Sequence, residues 1–142
     1  MSTFGRDSKI GPLQASPQFA GLSRRQLESM ATCLDVAGIA PGGTLLREGV
    51  RADALWIIAE GEVDLSARGQ RRSRVGRGHV LGAAAMFART ESELTAVAAG
   101  PVRVLVASHR QLNQLIACPE VEERLRGGPR PIETRTAVSD AA

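Results

Sequence analysis

The sequence has few aromatic side chains: its 142 residues include three Phe, one Trp and no Tyr. Since 43% of the residues are hydrophobic, a core must be built mainly from Leu, Val, Ile and Ala. The scarcity of aromatics argues against a platform for single-stranded nucleic acid, because such platforms stack bases on aromatic rings. The length is that of one domain with its own core.

Cysteine is scarce too, and long apolar runs are missing. Cys33 and Cys118 are far apart, with no C-x-x-C spacing and no nearby histidine cluster, so the sequence predicts neither a zinc site nor a redox motif. No apolar run approaches the ~20 residues that span a bilayer, and the N-terminus has no apolar signal-peptide region. We expect a cytoplasmic protein with no membrane span and no metal site.

The motifs of common catalytic sites are also missing. The sequence contains no G-x-S-x-G, no P-loop and no H-E-x-x-H. His79 and His109 have no carboxylate or cysteine partner at metal-ligand spacing, so neither is predicted to be a ligand or a general base. We therefore expect no catalytic residues, no required cofactor and no enzymatic activity.

Short apolar runs separated by glycine-bearing turns are present from 34 to 108, a pattern typical of many-stranded antiparallel structure. We expect Gly61 to turn one hairpin and residues 68–70 to turn a second. Ser23 and Ser108 are each followed by Gln three positions later, which predicts a capping box and a helix start at both. The predicted fold is mainly β, an antiparallel jelly-roll-like β-roll of about eight strands, preceded by one helix and followed by one or two short helices.

The composition also predicts domain boundaries. Residues 1–18 contain Gly, Ser, Pro and Lys without periodicity and are expected to form a flexible N-terminal arm whose end docks through Phe19. Residues 19–126 are expected to form the domain. Residues 127–142 are polar and aperiodic, which predicts a disordered C-terminal tail.

The segment GAAAMFARTESELTAVA, Gly82–Ala98, resembles the phosphate-binding cassette of the cyclic-nucleotide-binding domain superfamily. That cassette reads roughly G-E-x-A-L-L, a short loop, then R-x-A-T-V-x-A, and the match needs no gap. PGGTLLREG, LWIIAEGEVDL and VRVLVASHRQL resemble other parts of the same fold, so that the resemblance covers about 19–125. It implies a β-roll like that of the catabolite activator protein, here as a stand-alone domain.

The resemblance also implies a chemistry that two residues of this chain do not supply. In the family, an arginine neutralises the cyclic phosphate and a glutamate accepts a hydrogen bond from the ribose 2′-hydroxyl. The glutamate position falls on Ala83 and the arginine position on Ser92. A buried anion needs a charge partner and preorganised donors, so the cassette is degenerate and tight binding of cyclic AMP is not expected.

Two features keep a ligand site open as an alternative. The short helix expected to begin near Ala83 presents backbone N–H groups, and Arg89 lies in the cassette loop, three residues before Ser92. On the other interpretation, the three alanines fill the mouth of the cavity and the roll is a scaffold. The candidate ligand-binding residues are Gly82, Ala83, Ala84, Ala85, Arg89, Ser92, Glu93 and Thr95.

The densest basic cluster surrounds the second hairpin, in a chain whose net charge is +3. We call it the basic hairpin. It is interpreted either as a patch for an acidic partner or nucleic acid, or as a solvated edge strand protected by charge. Arg72 and Arg74 are expected to project from one face if the strand includes both. The residues of the basic hairpin are Arg68, Arg71, Arg72, Arg74 and Arg77.

Three functions remain open on the sequence. The first is a non-catalytic regulatory or protein-interaction module with a protein partner of unknown identity. The second is a sensor that binds a cyclic nucleotide or another anion through backbone amides and Arg89. The third is an electrostatic nucleic-acid binder using the basic hairpin, whose affinity would fall steeply with salt. The segment Glu120–Arg126 is too short for a helix-turn-helix, so recognition of DNA by that motif is not expected.

Overall fold

The computed structural model describes residues 6–127. Eight strands lie between helices at both ends, and one short helix interrupts them. The helices are α1 (Arg6–Ala15), α2 (Arg24–Thr32), α3 (Ala83–Ala88), α4 (His109–Leu115) and α5 (Pro119–Gly127). The strands are β1 (Asp35–Ile39), β2 (Thr44–Leu46), β3 (Ala54–Glu60), β4 (Val63–Ala67), β5 (Gln70–Val75), β6 (Val80–Leu81), β7 (Thr95–Ala98) and β8 (Val102–Ser108).

The strands form two four-stranded antiparallel sheets, with orders β1-β8-β3-β6 and β2-β7-β4-β5. The long pair β3 and β8 is the centre of the first sheet, and Ile57 lies opposite Leu105 in its register. Both side chains are fully buried, as is Val63 at the start of β4. The core therefore lies between the two sheets, and the predicted mainly β roll of about eight strands is confirmed.

Gly61 has a positive φ of 94°, as predicted, but it does not turn a hairpin. Its flanking strands β3 and β4 belong to different sheets, so the chain crosses from one sheet to the other at this residue. A Cβ at Gly61 would lie 2.5 Å from the carbonyl oxygen of Pro101, on the connection between β7 and β8. Glycine is required because two sheet-to-sheet crossings pack against each other there.

The second predicted hairpin is confirmed, since β4 and β5 pair in register from Ala67 opposite Gln70. Its two-residue loop, Arg68 and Gly69, has positive φ at both positions, 56° and 77°. Positive φ at both central residues is the signature of the tight turn that matches the twist of an antiparallel pair.

Both predicted capping boxes are present. The Gln26 backbone N–H donates to Ser23 Oγ over 3.1 Å, and the Ser23 N–H donates back to Gln26 Oε1 over 2.8 Å. The same reciprocal bonds join Ser108 and Gln111, at 3.2 and 2.8 Å. These local hydrogen bonds satisfy N–H groups that a helix otherwise leaves free, which fixes where α2 and α4 begin.

The predicted flexible arm over 1–18 is wrong from residue 6 onward. Residues 6–15 form α1, which packs against α2 and β3 and buries Ile10 and Leu13 in the core. Lys9 Nζ donates to the carbonyl oxygens of Ala31, in the last turn of α2, and of Leu34, just beyond that helix, at 3.1 and 2.7 Å. A 3-10 turn, Pro17–Phe19, follows, and Phe19 is buried as predicted. Residues 1–5 lie outside the described residues.

The segment that follows α1 packs against α5, the last helix described. The inner face of α5 buries Val121 and Leu125. Gln18 Nε2 donates to the carbonyl oxygen of Arg124 over 3.0 Å, and the Arg124 guanidinium donates to the carbonyl oxygens of Gln18 and Ala20. Residues 6–18 thus belong to the same packed unit as the predicted domain over 19–126. Of the predicted tail over 127–142, Gly127 closes α5 and the rest lies outside the described residues.

None of the helices described between residues 6 and 127 is both long and apolar enough to cross a membrane.

Candidate functional site

The roll opens onto a cavity of about 530 Å³, which we call the large cavity. β4, β6, α3 and α5 contribute most of its walls, and these walls are mainly apolar. The apolar side chains larger than alanine that line it are Leu65, Val80, Leu81, Phe87, Leu94 and Leu125. Its polar side chains come from Gln18, His79 and Arg126.

A second cavity of about 290 Å³, the small cavity, lies beside it between α3 and the loop that leads to β7. The two cavities have four lining residues in common, and three of these are glycine or alanine. The residues lining both are Gly82, Ala84, Ala88 and Leu94. Together the two cavities form one site at the cassette that the sequence singled out.

Helix α3 begins where predicted, directly after Gly82. Gly82 has φ 90°, and a Cβ there would lie 2.8 Å from the Ala54 carbonyl oxygen on β3, so the residue packs α3 close against the first sheet. Met86 anchors the helix in the core. The helix ends at Arg89, which has left-handed backbone angles and an exposed side chain.

Ser92 occupies the predicted arginine position and is 6% exposed. Its Oγ donates to the Leu94 carbonyl oxygen over 2.6 Å and accepts from the Leu94 N–H over 3.1 Å. Its own N–H donates to the Val50 carbonyl oxygen over 2.9 Å. The Ser92 hydroxyl therefore makes its hydrogen bonds within its own loop.

The charged residues that line the small cavity are Glu91 and Glu93, both exposed. No Lys or Arg lines it within residues 6–127. The sequence reasoning named Glu93 but missed Glu91, because a charged residue in a polar loop is most often simply solvated. The small cavity is therefore acidic where the family pattern places a cation.

The predicted site residues are only partly brought together. Five of them line the small cavity, and Ala83 lines the large one. Arg89 and Thr95 line neither, and Thr95 Oγ1 instead accepts from the Glu48 N–H on the β2 side over 2.9 Å. The five that line the small cavity are Gly82, Ala84, Ala85, Ser92 and Glu93.

Helix α5 contributes Arg126 to the lining of the large cavity. The guanidinium carbon of Arg126 lies 4.1 Å from the centroid of the Phe87 ring on α3. Arg126 Nε lies 2.8 Å from Glu122 Oε2, one turn earlier in α5. The positive charge of Arg126 is thus already paired with a carboxylate and stacked on a ring.

The basic hairpin has charge partners of its own. Strand β5 is an edge strand with exposed side chains, and Arg72 is the extra residue of a β-bulge, between Ser73 opposite Leu65 and Arg71 opposite Ser66. Because the bulge interrupts the alternation, Arg71 and Arg74 meet at Asp64, at 3.4 and 2.7 Å, instead of the expected pair Arg72 and Arg74.

Two further members of the basic hairpin are used in packing. Arg77 donates to the Ala59 carbonyl oxygen over 3.1 Å, and its guanidinium lies against Gly11 of α1. The backbone N–H of Arg68 donates to Glu48 Oε1 over 2.9 Å. The cluster therefore ties the edge of the second sheet and α1 to the rest of the roll.

The Arg74 side chain holds the pKa of Asp64 below its ordinary value of 3.8, chiefly by its hydrogen bond, with smaller contributions from the charge of Arg71 and then from the charge of Arg74 itself. A folded-state pKa below the unfolded one adds stability above the unfolded pKa, which is lost as pH falls through the folded pKa. We expect Arg74→Ala to raise the pKa of Asp64 toward 3.8, measured by an NMR pH titration of its carboxyl carbon. Arg72→Ala is the matched control, and an unchanged titration in Arg74→Ala would contradict the pairing.

The family model of the cyclic nucleotide-binding domain matches residues 38–117. A curated relative, the "Putative potassium channel protein" of Rhodopseudomonas palustris, is 33% identical over 104 residues. The match covers 71% of this chain and 25% of the relative, so the chain spans about a quarter of that protein's length.

Solved structures of low sequence identity share the fold. The CBD2 domain of PKAR bound to Sp-2Cl-cAMPS has a TM-score of 0.79 at 16% identity, over 96% of this chain and 90% of that one. The regulatory subunit of a cAMP-independent protein kinase A from Trypanosoma cruzi, bound to guanosine, has 0.74 at 19%, over 96% and 50%. The catabolite activator protein of Thermus thermophilus has 0.73 at 22%, over 89% and 61%.

Proposed function

Because this chain belongs to the cyclic nucleotide-binding domain family, we propose that it is a non-catalytic regulatory module whose site does not bind cyclic AMP or cyclic GMP tightly. The observation that carries the proposal is the charge of the small cavity. Its charged lining residues are Glu91 and Glu93, and no cation lines it within the described part of the chain. A cyclic phosphate placed there would lose its hydration and meet like charges in place of a counter-ion.

The two replaced side chains support the same conclusion. Ala83, the first residue of α3, has no acceptor for a ribose hydroxyl. Ser92 has no charge. Its hydroxyl donates one hydrogen bond to the backbone of Leu94 and accepts another from it. Losing one buried charge-assisted contact costs about 2–5 kcal/mol, or about 30-fold to several-thousand-fold in affinity.

A regulatory module without a reaction of its own acts by binding a protein partner. The match covers a quarter of the channel protein and half of the Trypanosoma cruzi kinase regulatory subunit, so in each of these two the shared domain is one part of a longer chain. We propose that this chain likewise regulates a protein, which it binds through its surface, and that it performs no chemistry on a substrate. A pull-down with the full chain as bait identifies the partner.

We expect no measurable heat when cyclic AMP or cyclic GMP is titrated into the natural protein up to millimolar concentration. The measurement is isothermal titration calorimetry, repeated with Arg89→Ala as the matched variant. Since Arg89 is exposed and lines neither cavity, its removal should change nothing. Micromolar binding that disappears in Arg89→Ala would contradict the proposal and favour an anion sensor built on that arginine.

A further inference from the structure

A third cavity, of about 270 Å³, lies between α2 and the segment that leads from α4 into α5, and we call it the sulfur groove. Both cysteines of the chain line it, together with Met30. We propose that the sulfur groove binds one soft monovalent metal ion, copper(I), through the thiolates of Cys33 and Cys118 and the thioether of Met30. Among the described residues, none that lines the sulfur groove also lines the large or the small cavity.

Helix α2 supplies one wall of the sulfur groove at helical spacing. Gln26, Met30 and Cys33 all line it and follow one another at intervals of four and three residues, which places them on one face of the helix. Cys33 caps the end of α2, and its N–H donates to the Met30 carbonyl oxygen over 2.9 Å. Met30 is buried between the other two, and its three rotatable side-chain bonds let the thioether adjust to a ligand.

Cys118 comes from the opposite wall, directly before α5. Its Sγ lies 3.9 Å from Gln26 Nε2 and donates to Glu120 Oε1 over 3.3 Å. Since Gln26 is one turn before Met30 in α2, this contact brings the Cys118 thiol to the side of the groove where Met30 lies. The three sulfur-bearing residues thus follow one another along the groove in the order Cys118, Met30, Cys33, and both thiols are half-buried.

The ligand types select the metal. Within residues 6–127 no three His, Cys, Asp or Glu side chains are grouped so that they could hold a metal ion, so the groove lacks the four nitrogen, sulfur or oxygen ligands of a structural zinc site. Thiolate and thioether ligands together are soft, and copper(I) is the ion that such ligands select. Leu115 and Val121 give the groove an apolar floor, which is unsuited to a hard cation that keeps its water.

Binding replaces the protons of two thiols by one copper(I) ion. Each thiol releases its proton as its sulfur forms a bond to the metal, and the metal keeps its oxidation state, so that no oxidant or reductant takes part. The Cys118 proton can leave by way of the Glu120 carboxylate, which already accepts its hydrogen bond, and pass to water. The bound ion would join the end of α2 to the start of α5, two segments that are far apart in the sequence. That separation is why no metal-ligand spacing is visible in the sequence.

The test is an anaerobic titration of the full chain with copper(I), in competition with a chromogenic chelator of known affinity. We expect one ion per chain, and we expect Cys33→Ser and Cys118→Ser each to weaken binding at least about tenfold, since losing even a residue that only supports a ligand costs about that much. Met30→Leu should weaken binding about tenfold. Met86→Leu is the matched control, because it makes the same volume-conserving change at a buried methionine outside the groove, and it should leave the affinity unchanged. Unchanged thermal melting of each metal-free variant verifies the fold.

Four results would overturn the inference. Two ions per chain, lost one at a time in the two serine variants, would mean that the thiols bind separately. A copper(I) affinity that Met30→Leu leaves unchanged would exclude the thioether as a ligand. A copper-linked dimer on size-exclusion chromatography would mean that the cysteines of two chains share the ion, and a protein that fails to compete with the chelator has no site. The proposed function is tested separately, by the titration with cyclic nucleotides.

Discussion

The double variant Ala83→Glu, Ser92→Arg is expected to bind cyclic AMP at least about a hundredfold more tightly than the natural protein. Both positions line the cavities, and the small cavity of about 290 Å³ has room for the longer side chain at 92. The new guanidinium supplies the counter-ion for the phosphate, and the new carboxylate at the start of α3 accepts the ribose hydroxyl. Calorimetry measures the gain.

The structure limits the expected minimum gain in affinity for cyclic AMP to about a hundredfold. Two restored contacts of about 2–5 kcal/mol each would give more than a hundredfold. However, Glu91 and Glu93 flank the new guanidinium and compete with the phosphate for it, and the substitution removes both hydrogen bonds between Ser92 and Leu94. Thermal melting of the variant measures that structural loss separately from binding.

A matched control introduces the arginine one residue further along, at position 93 instead of 92. Ala83→Glu with Glu93→Arg adds a larger positive change at the rim, since it also removes a carboxylate, but its side chain starts from an exposed position. We expect it to gain much less than the variant at Ser92, because position counts for more than net charge in a charge-assisted contact. Equal gains would mean that any cation at the rim suffices. If the double variant Ala83→Glu, Ser92→Arg is folded but gives no binding heat with cyclic AMP, the cavities do not admit the nucleotide.

The parts of the fold that depend on local chemistry could be predicted from the sequence. A capping box is a contact within four residues, so Ser23 and Ser108 marked the starts of α2 and α4 directly. The loop of Arg68 and Gly69 is equally local, and its hairpin was predicted. The crossing at Gly61 was not, because an apolar run, a glycine and a second run look the same whether the strands pair or enter different sheets.

The candidate site was predictable in place but not in charge. The ungapped match at Gly82 placed α3 and its cavity, and the substitutions at Ala83 and Ser92 were visible in the letters alone. That Ser92 satisfies its own hydroxyl on Leu94 depends on the loop's conformation. That Glu91 borders the small cavity depends on which way the loop folds against α3. Neither follows from residue type, since a loop serine or glutamate is most often solvated.

Helix α1 was missed because Gly11 and Pro12 interrupt its middle, and such a pair normally ends a helix. The structure keeps the helix because Leu13 is fully buried and Ile10 nearly so, against α2 and β3. Tertiary burial of two large side chains thus outweighs a poor local propensity. The burial of Leu13 has a direct thermodynamic consequence.

Leu13→Ala is expected to lower the free energy of unfolding by about 2–5 kcal/mol, as for other fully buried leucines. Urea denaturation followed by circular dichroism measures it, and Gln14→Ala, its exposed neighbour in the same helix, is the control that should change stability little. Because the substitution also opens a cavity beneath α1, the loss should exceed the transfer free energy of the deleted carbons alone. A loss no greater than that of Gln14→Ala would mean that residues 6–15 contribute no core packing, and the flexible arm predicted from the sequence would be the better description of that segment.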